Sequence, residues 1–305
     1  MGYNNLMQIL YIGLGKMGKG MALLMGEKGH NVFCYNRSEL GRAEAVEARL
    51  KVYSTIPSLF AAVPGKKIVF IMVSHSGVDE VLAEVVPLLV PGDIVIDGGN
   101  CFYKDSQRRG EMLLEKKIHF LDVGVSGGPG GARNGACLMI GGQKEVFEEL
   151  EPLFKDISDG GVAYSYLGSV GAGHFAKMVH NGIEYGMMQS IAEGFNILKN
   201  SGFEYSLSEL ADLYQKKSVI ESRLVEWLRD GFKKYGEDLE GISGEVSASG
   251  EGEWTVQTAK EKNLLAESIE LALNFRTKSK GNPSFVGKLL STMRTMFGGH
   301  DVKEK

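Results

Sequence analysis

Five short apolar runs in the first half of the chain constrain the fold more than any other feature. Each run ends in glycine or polar residues, and stretches of helical character separate the runs, which are MQILYIG, NVFCYN, KIVFIMVS, DIVIDGG and HFLDVGVSGG. Such alternation is typical of βαβ units built on a parallel sheet. Beyond the passage DGGVAYSYLGSVGAGHF the sequence reads as helix, starting with a proline-free segment from residue 174 to about 200. We therefore predict an α/β protein in which a doubly wound domain over residues 1–167 precedes an all-helical domain over residues 168–305.

The composition is typical of a globular cytoplasmic protein. Hydrophobic residues make up 43% of the 305 residues and charged residues 24%, which excludes disordered and collagen-like classes. The net charge of -4 gives no general attraction to nucleic acid or to anionic membranes, so we expect neither as a partner. Cys34, Cys101 and Cys137 lie far apart without a CxxC pattern, and we therefore expect no disulfide and no metal site. The amino terminus lacks a signal-peptide pattern, and no apolar run has membrane-spanning length.

The first apolar run leads into GLGKMG, a pattern that is typical of dinucleotide binding. Its glycines have the GxGxxG spacing and lie between a predicted strand and the helix-like segment KGMALLMGEKGH. They permit a tight turn, close approach of the backbone to a pyrophosphate and close helix packing, while free N–H groups at the helix start bind phosphate. We therefore predict a Rossmann-type domain. The predicted cofactor contacts in this loop and at a later strand end are Gly13, Leu14, Gly15, Met17, Gly18 and Val73.

The end of the second predicted strand bears on the choice between NAD and NADP. An NAD site usually offers Asp or Glu to the ribose hydroxyls here, whereas this chain has Asn36, Arg37 and Ser38. Because Arg37 can pair with a 2′-phosphate and Ser38 can hydrogen-bond to it, we predict these three residues as cofactor contacts and NADP as the cofactor. Use of NAD stays open, and the alternative for Arg37 is a solvated surface arginine.

Four polar residues interrupt the apolar pattern of the long helical segment. Lys177, His180, Asn181 and Glu184 stand at i, i+3, i+4 and i+7, so they share one helix face. A lysine near a carboxylate, beside a dinucleotide domain, is a suitable acid–base pair for oxidising an alcohol by hydride transfer. The alternative is a solvated face, because lysine and glutamate are commonly exposed.

Four segments, in this order and spacing, closely resemble decarboxylating 6-phosphogluconate dehydrogenases, within the β-hydroxyacid dehydrogenase superfamily. They are GLGKMG, DGGNCFYKDSQRR, VGVSGGPGGARNGACLMIGG and KMVHNGIEYGMMQ, and the resemblance covers essentially the whole chain. Other superfamily members, such as 3-hydroxyisobutyrate dehydrogenases, keep the SGG segment and the lysine but lack DGGN and HNGIEY. The resemblance implies the pentose phosphate pathway reaction. In it, 6-phosphogluconate is oxidised at carbon 3 and loses carbon dioxide to give ribulose 5-phosphate.

The resemblance also implies roles for individual residues. The match of Lys177 is the base and the match of Glu184 is the acid. Residues implied to contact substrate are Asn100, Ser126, Gly127, Gly128, His180, Asn181, Tyr185, Arg276, Arg294 and His300, and Asn100 is implied to contact the cofactor as well. The chain resembles the short form of the family, and the role of the tail in the long form implies a homodimer or homotetramer.

Two departures from the family pattern concern the substrate phosphate. The family segment GQKGTGKWT appears here as SASGEGEWT, so Ser249 replaces a lysine and Glu251 a threonine that contact the phosphate. A rival reading is therefore a dehydrogenase or reductase of another small β-hydroxyacid. A cofactor-binding regulatory protein without turnover is a further alternative, which the helical spacing of Lys177 and Glu184 disfavours.

Overall fold

An eight-stranded sheet organises the amino-terminal part of the chain in the computed structural model, which describes residues 6–247 and 250–298. The strand order is β3-β2-β1-β4-β5-β6-β7-β8, and every neighbouring pair is parallel except β6 and β7. The strands are β1 Gln8–Ile12, β2 Asn31–Tyr35, β3 Lys51–Tyr53, β4 Ile68–Ile71, β5 Ile94–Asp97, β6 His119–Ser126, β7 Cys137–Gly142 and β8 Tyr164–Gly168.

Helices cover both faces of the sheet, because the strands alternate their apolar side chains between two cores. In β1, Ile9 and Tyr11 point into one core, whereas Leu10 and Ile12 point into the other. Strands buried on both faces are typical of parallel sheets. The helices of this unit are α1 Lys16–Glu27, α2 Glu39–Glu47, α3 Ile56–Ala61, α4 Val78–Val85, α5 Tyr103–Glu115, α6 Gly128–Asn134 and α7 Lys144–Ile157.

The strand order reverses between β1 and β4, which are neighbours although two strands separate them in sequence. In doubly wound folds, ligands bind outside the carboxyl ends of the strands at this switch point. The predicted Rossmann-type fold is confirmed, and the five apolar runs correspond to β1, β2, β4, β5 and β6. The strands β3, β7 and β8 were not singled out from the sequence.

The carboxyl-terminal unit is helical, as predicted. A core that includes Leu228, Phe232, Leu289 and Met293 joins its helices. Most of the long helix α8 Ala172–Lys199 belongs to this unit, followed by α9 Leu207–Tyr214, α10 Arg223–Tyr235, α11 Glu251–Glu261, α12 Glu267–Ser279 and α13 Phe285–Gly298.

The two compact units are Met1–Met178 and Val179–Lys305, so the division lies within α8. The boundary after residue 167 that we expected from the sequence stays a prediction. Among the described helices, none combines the length and the apolar character that crossing a lipid bilayer requires.

Candidate active site

The GxGxxG loop connects β1 to α1, and its three glycines serve different purposes. Gly13 has a φ of 108°, and a Cβ there would collide with the Met72 carbonyl. A Cβ on Gly18 would collide with the Gly13 carbonyl, so the helix can approach the loop only without a side chain. By contrast, no atom lies within 4 Å of the place where a Cβ on Gly15 would stand, and Gly15 is exposed. This open space in front of the α1 amino end suits a pyrophosphate.

At the end of β2, two of the three predicted cofactor residues also hold the loop together. The Leu14 N–H donates to Asn36 Oδ1 over 3.0 Å, and the Asn36 amide donates to Ser38 Oγ over 3.0 Å. Ser38 Oγ in turn accepts from the Gly41 N–H and caps α2. The Arg37 side chain is 87% exposed and pairs with Glu80 at 3.1 Å. Arg37 is therefore the member of this trio that a bound 2′-phosphate could recruit with little rearrangement.

The remaining predicted cofactor contacts lie near the same end of the sheet. Met17 and Val73 are half-buried and pack against the two cores of the sheet, and Leu14 is buried. Val73 follows β4, and its side chain would contact any side chain placed on Gly13. The loop, the β2 end and the β4 end thus form one continuous rim in the first unit.

The turn Asp97-Gly98-Gly99-Asn100 ends β5 and is fixed by a buried ion pair. Asp97 is fully buried, accepts a hydrogen bond from the Gly99 N–H at 3.0 Å and pairs with Arg109 at 3.3 Å. A Cβ on Gly98 would lie 2.5 Å from the Phe70 ring, so packing under the turn requires glycine. Asn100 is half-buried at the strand's carboxyl end.

Arg109 on α5 links this turn to α4. Its guanidinium is buried, and it donates to both carboxylate oxygens of Asp79, at 2.9 and 3.2 Å. This hydrogen bond with Arg109 is the main cause that lowers the pKa of Asp79. Our sequence reading included Arg109 in a resembling segment without assigning it a role.

The position of Lys177 depends on a buried carboxylate on β6. Asp122 accepts hydrogen bonds from the N–H groups of Gly171 and His174, both at 2.7 Å, and thereby holds the beginning of α8. One turn later, the Lys177 Cβ lies so close to β6 that a Cβ on Gly124 would overlap it. Lys177 is buried. In the sequence, the signal for a special role of Asp122 is a charged residue within the apolar run HFLDVGVS, and no role was predicted for it.

The SGG segment lies at the end of the same strand. Ser126 is the last residue of β6, Gly127 follows it, and Gly128 begins α6, all half-buried. Gly124, two residues before Ser126 on the same strand, is the residue that Lys177 contacts. Within the first unit, the structure brings together the predicted base and the predicted SGG segment.

Further along α8, the other polar residues of the predicted face form a short chain of contacts. His180 Nδ1 lies 3.0 Å from Asn181 Oδ1 and 3.9 Å from Glu184 Oε2. Asn181 is buried, and the Glu184 side chain is only 23% exposed. Burial of Lys177 and Asn181 does not fit a fully solvated helix face.

The two arginines of the helical unit that the resemblance implies to contact substrate are both buried. Arg276 on α12 is 1% exposed, and its guanidinium carbon stacks 3.3 Å from the centroid of the Tyr185 ring. Arg294 on α13 donates to the carbonyl and the hydroxyl of Ser247. Burial is the main cause that lowers the pKa of both arginines. Two cations held out of water in one neighbourhood favour the binding of an anion.

His300 and Ser249 lie outside the described residues. Glu251, the other departure from the family pattern, is the first residue of α11 and is buried.

Two family models match most of the chain. Residues 8–171 match the NAD binding domain of 6-phosphogluconate dehydrogenase, and residues 173–288 match the 6-phosphogluconate dehydrogenase C-terminal domain. The YqeC protein of Bacillus subtilis is 40% identical over 301 residues, which cover 98% of this chain and 100% of that protein. An NAD(+)-dependent, decarboxylating 6-phosphogluconate dehydrogenase of Haloferax volcanii is 34% identical over 300 residues, with 98% and 99% coverage.

Among solved structures, the chain is similar to 6-phosphogluconate dehydrogenase of Plasmodium falciparum, with a TM-score of 0.81 and 31% identity. The match covers 89% of this chain and 62% of the Plasmodium chain. That enzyme was solved in its apo form, with its cofactor NADP+ and with its substrate 6-phosphogluconate.

Proposed function

Because this chain belongs to the 6-phosphogluconate dehydrogenase family, we propose that it oxidises 6-phosphogluconate and decarboxylates the product to ribulose 5-phosphate. The observation that carries the proposal is the placement of Lys177, which is buried on α8 and pressed against Gly124 of β6. Glu184 follows seven residues later, about two helical turns, with a largely buried side chain. The decarboxylating relative and the substrate complex of the Plasmodium enzyme support the same reaction.

The residues of the predicted cofactor site are suited to binding a nicotinamide dinucleotide. The open space at Gly15, the amino end of α1 and the rim residue Arg37 would hold the pyrophosphate and a 2′-phosphate. A bound nicotinamide cofactor would supply the acceptor for the hydride that leaves carbon 3 of the substrate. We propose NADP as the preferred cofactor, because the end of β2 carries no carboxylate that would repel a 2′-phosphate.

Lys177 moves protons at the substrate's carbon 3 oxygen. As a neutral amine, it takes the hydroxyl proton while hydride leaves, which produces a ketone β to the carboxylate. As an ammonium ion, it returns a proton to the ketone oxygen while the bond between carbons 1 and 2 breaks. The electron pair of that bond enters an enediol, and carbon dioxide leaves.

Glu184 completes the reaction by protonating carbon. It donates a proton to the carbon that becomes carbon 1 of ribulose 5-phosphate, while Lys177 removes the proton from the neighbouring enediol hydroxyl. A proton transfer from Lys177 to Glu184 then restores both groups, so the cycle consumes no net proton. Asn181 and His180 lie between these two residues in the sequence, where they can orient substrate hydroxyls.

The proposal is tested by two substitutions on α8. Lys177→Met should lose roughly 10²- to 10⁴-fold in kcat with 6-phosphogluconate, because a general acid or base contributes that much. Glu184→Gln should still reduce cofactor, but in deuterated water it should scramble the label at carbon 1 of ribulose 5-phosphate that wild type places on one face. The control is Glu193→Gln, an exposed glutamate on the same helix.

Wild type should be assayed with 6-phosphogluconate, gluconate and 3-hydroxyisobutyrate side by side. A preference for either unphosphorylated acid would refute the proposed substrate and favour another β-hydroxyacid. Normal turnover by Lys177→Met would show that this helix face is not the acid–base site.

A further inference from the structure

The helical unit contains a buried group of charged residues that includes a carboxylate beside the two arginines. We call Arg276, Arg294, Tyr185 and Glu251 the arginine cluster. All four residues are buried, with Arg276 and Glu251 only 1% and 4% exposed. The Nη1 atom of Arg276 has no hydrogen-bond partner among the described residues, and its Nη2 reaches only the Met188 sulfur, at 3.6 Å. A buried guanidinium with an unused donor is well suited to bind an anion or another hydrogen-bond acceptor.

Glu251 is built firmly into this cluster. It is the first residue of α11, and its carbonyl accepts a hydrogen bond from the Thr255 hydroxyl at 2.9 Å. The next residue, Gly252, packs so closely on the Tyr185 ring that a Cβ there would lie 2.5 Å from a ring carbon. Tyr185 is the ring on which Arg276 stacks. The backbone that carries Glu251 therefore has little freedom to move away from the arginines.

The carboxylate of Glu251 acts on both guanidinium groups. Its charge raises the pKa of Arg276 and of Arg294, although burial lowers each pKa by more. The charge of Glu184 also raises the pKa of both arginines. As the proposed acid, however, Glu184 must carry a proton when substrate reacts. With Glu251 ionised, the two arginines and the carboxylate sum to one positive charge, which is one too few to balance a phosphate dianion.

We propose that Glu251 is a specificity-determining residue that weakens binding of a doubly charged group more than binding of a singly charged one, and so shifts specificity toward substrates whose far end carries a single negative charge. Carboxylates and singly ionised phosphate monoesters share this property. The inference rests on the proposed function in taking the arginine cluster as the place where the far end of the substrate binds.

The electrostatic effect of Glu251 should scale with the charge of the ligand. Coulomb energy is proportional to each charge, so the logarithm of the affinity change should double when the ligand charge doubles. For a carboxylate some 6 Å from the ligand in surroundings of effective dielectric constant about 40, one unit of ligand charge changes affinity by roughly tenfold. A steric effect would not follow this rule.

The experiment measures binding of three probes to the full chain by calorimetry at pH 8. Gluconate has no charge at its far end, glucarate has a carboxylate, and 6-phosphogluconate has a phosphate that is largely dianionic at this pH. In Glu251→Gln, we expect the Kd of gluconate to stay unchanged, that of glucarate to fall roughly tenfold, and that of 6-phosphogluconate to fall by about the square of that factor. Glu251→Asp keeps the charge and should bind all three as wild type does.

The matched control is Glu253→Gln, which removes an exposed carboxylate two residues away on the same helix and should change none of the three constants. A Kd for 6-phosphogluconate within twofold of wild type in Glu251→Gln overturns the inference, as does an equal gain for gluconate. The proposed function fails separately: absence of 6-phosphogluconate turnover, together with the charge-dependent binding pattern, would refute the reaction and support the role of Glu251.

Discussion

Replacing Arg109 with methionine should destabilise the protein more than any other single change at the DGGN turn. Methionine fills much of the volume of the arginine stem but leaves Asp97 as a fully buried carboxylate without its cation. On the adjacent strand β6, the residue paired in register with Asp97 is Asp122, a second fully buried carboxylate. Removing one partner of a buried ion pair costs about 3–5 kcal/mol, and the adjacent carboxylate favours the upper part of that range.

The other bonds of Arg109 contribute less. Asp79 is 52% exposed, so Asp79→Asn should cost no more than about 1 kcal/mol. Asp97→Asn removes one buried carboxylate but leaves Arg109 paired with Asp79, so it should cost about 1–2 kcal/mol. The double variant Arg109→Met/Asp97→Asn should cost about 2 kcal/mol less than the sum of its parts, since it leaves no uncompensated buried charge.

The assay is urea denaturation followed by far-UV circular dichroism. Both tryptophans, Trp227 and Trp254, lie in the helical unit, so their fluorescence gives a separate signal for that unit. Asp105→Asn is the control, because Asp105 pairs only with the exposed Arg108 among the described ion pairs. A cost below about 1 kcal/mol for Arg109→Met, or strict additivity in the double variant, would refute the reasoning.

Two further predictions concern the cofactor and the acid sensitivity of the fold. Arg37→Ala should weaken NADP binding by about 1.5 kcal/mol, roughly tenfold in Kd, and leave NAD unchanged, because only NADP offers a 2′-phosphate to this exposed arginine. Equal effects on both cofactors in fluorescence titrations would contradict this reading. Burial lowers the pKa of His30 despite its contact with Asp156, so the unfolded chain takes up a proton more readily as pH falls below about 6.5. Wild type should therefore lose more thermal stability between pH 7.5 and 5 than His30→Gln does, and parallel losses would argue against the role of His30.

The sequence predicted features that depend on local rules. The GxGxxG spacing requires only a strand, a tight turn and a helix start, and the structure gives Gly13 and Gly18 the expected close contacts. The alternating apolar runs likewise predicted five of the eight strands. The strand β3 spans only three residues, and two of the six residues of β7 are glycine, so neither presents a clear apolar run.

Features that depend on distant partners could not be predicted from one sequence. Asp122 is 49 residues from Gly171, and Arg109 is 30 residues from Asp79. Asn36 illustrates the same limit, since the structure adds a bond to the Leu14 N–H, 22 residues away, to its predicted cofactor role. Whether Asn36 and Ser38 also contact a bound ribose stays a prediction.

The two buried carboxylates of β5 and β6 explain how the first unit can hold two predicted site positions at the carboxyl ends of neighbouring strands. Asp97 and Asp122 are neighbours in register, and side chains at matching positions on adjacent strands point to the same side of the sheet. Two negative charges so placed repel each other, and each is stabilised by a different device. Asp97 is neutralised by Arg109, which fixes the turn that carries Asn100, whereas Asp122 accepts two N–H groups at the positive end of α8, the helix that carries Lys177. The stabilisation of these two buried carboxylates therefore holds both Asn100 and the predicted base Lys177 at the end of the sheet, through buried groups that need not touch the substrate.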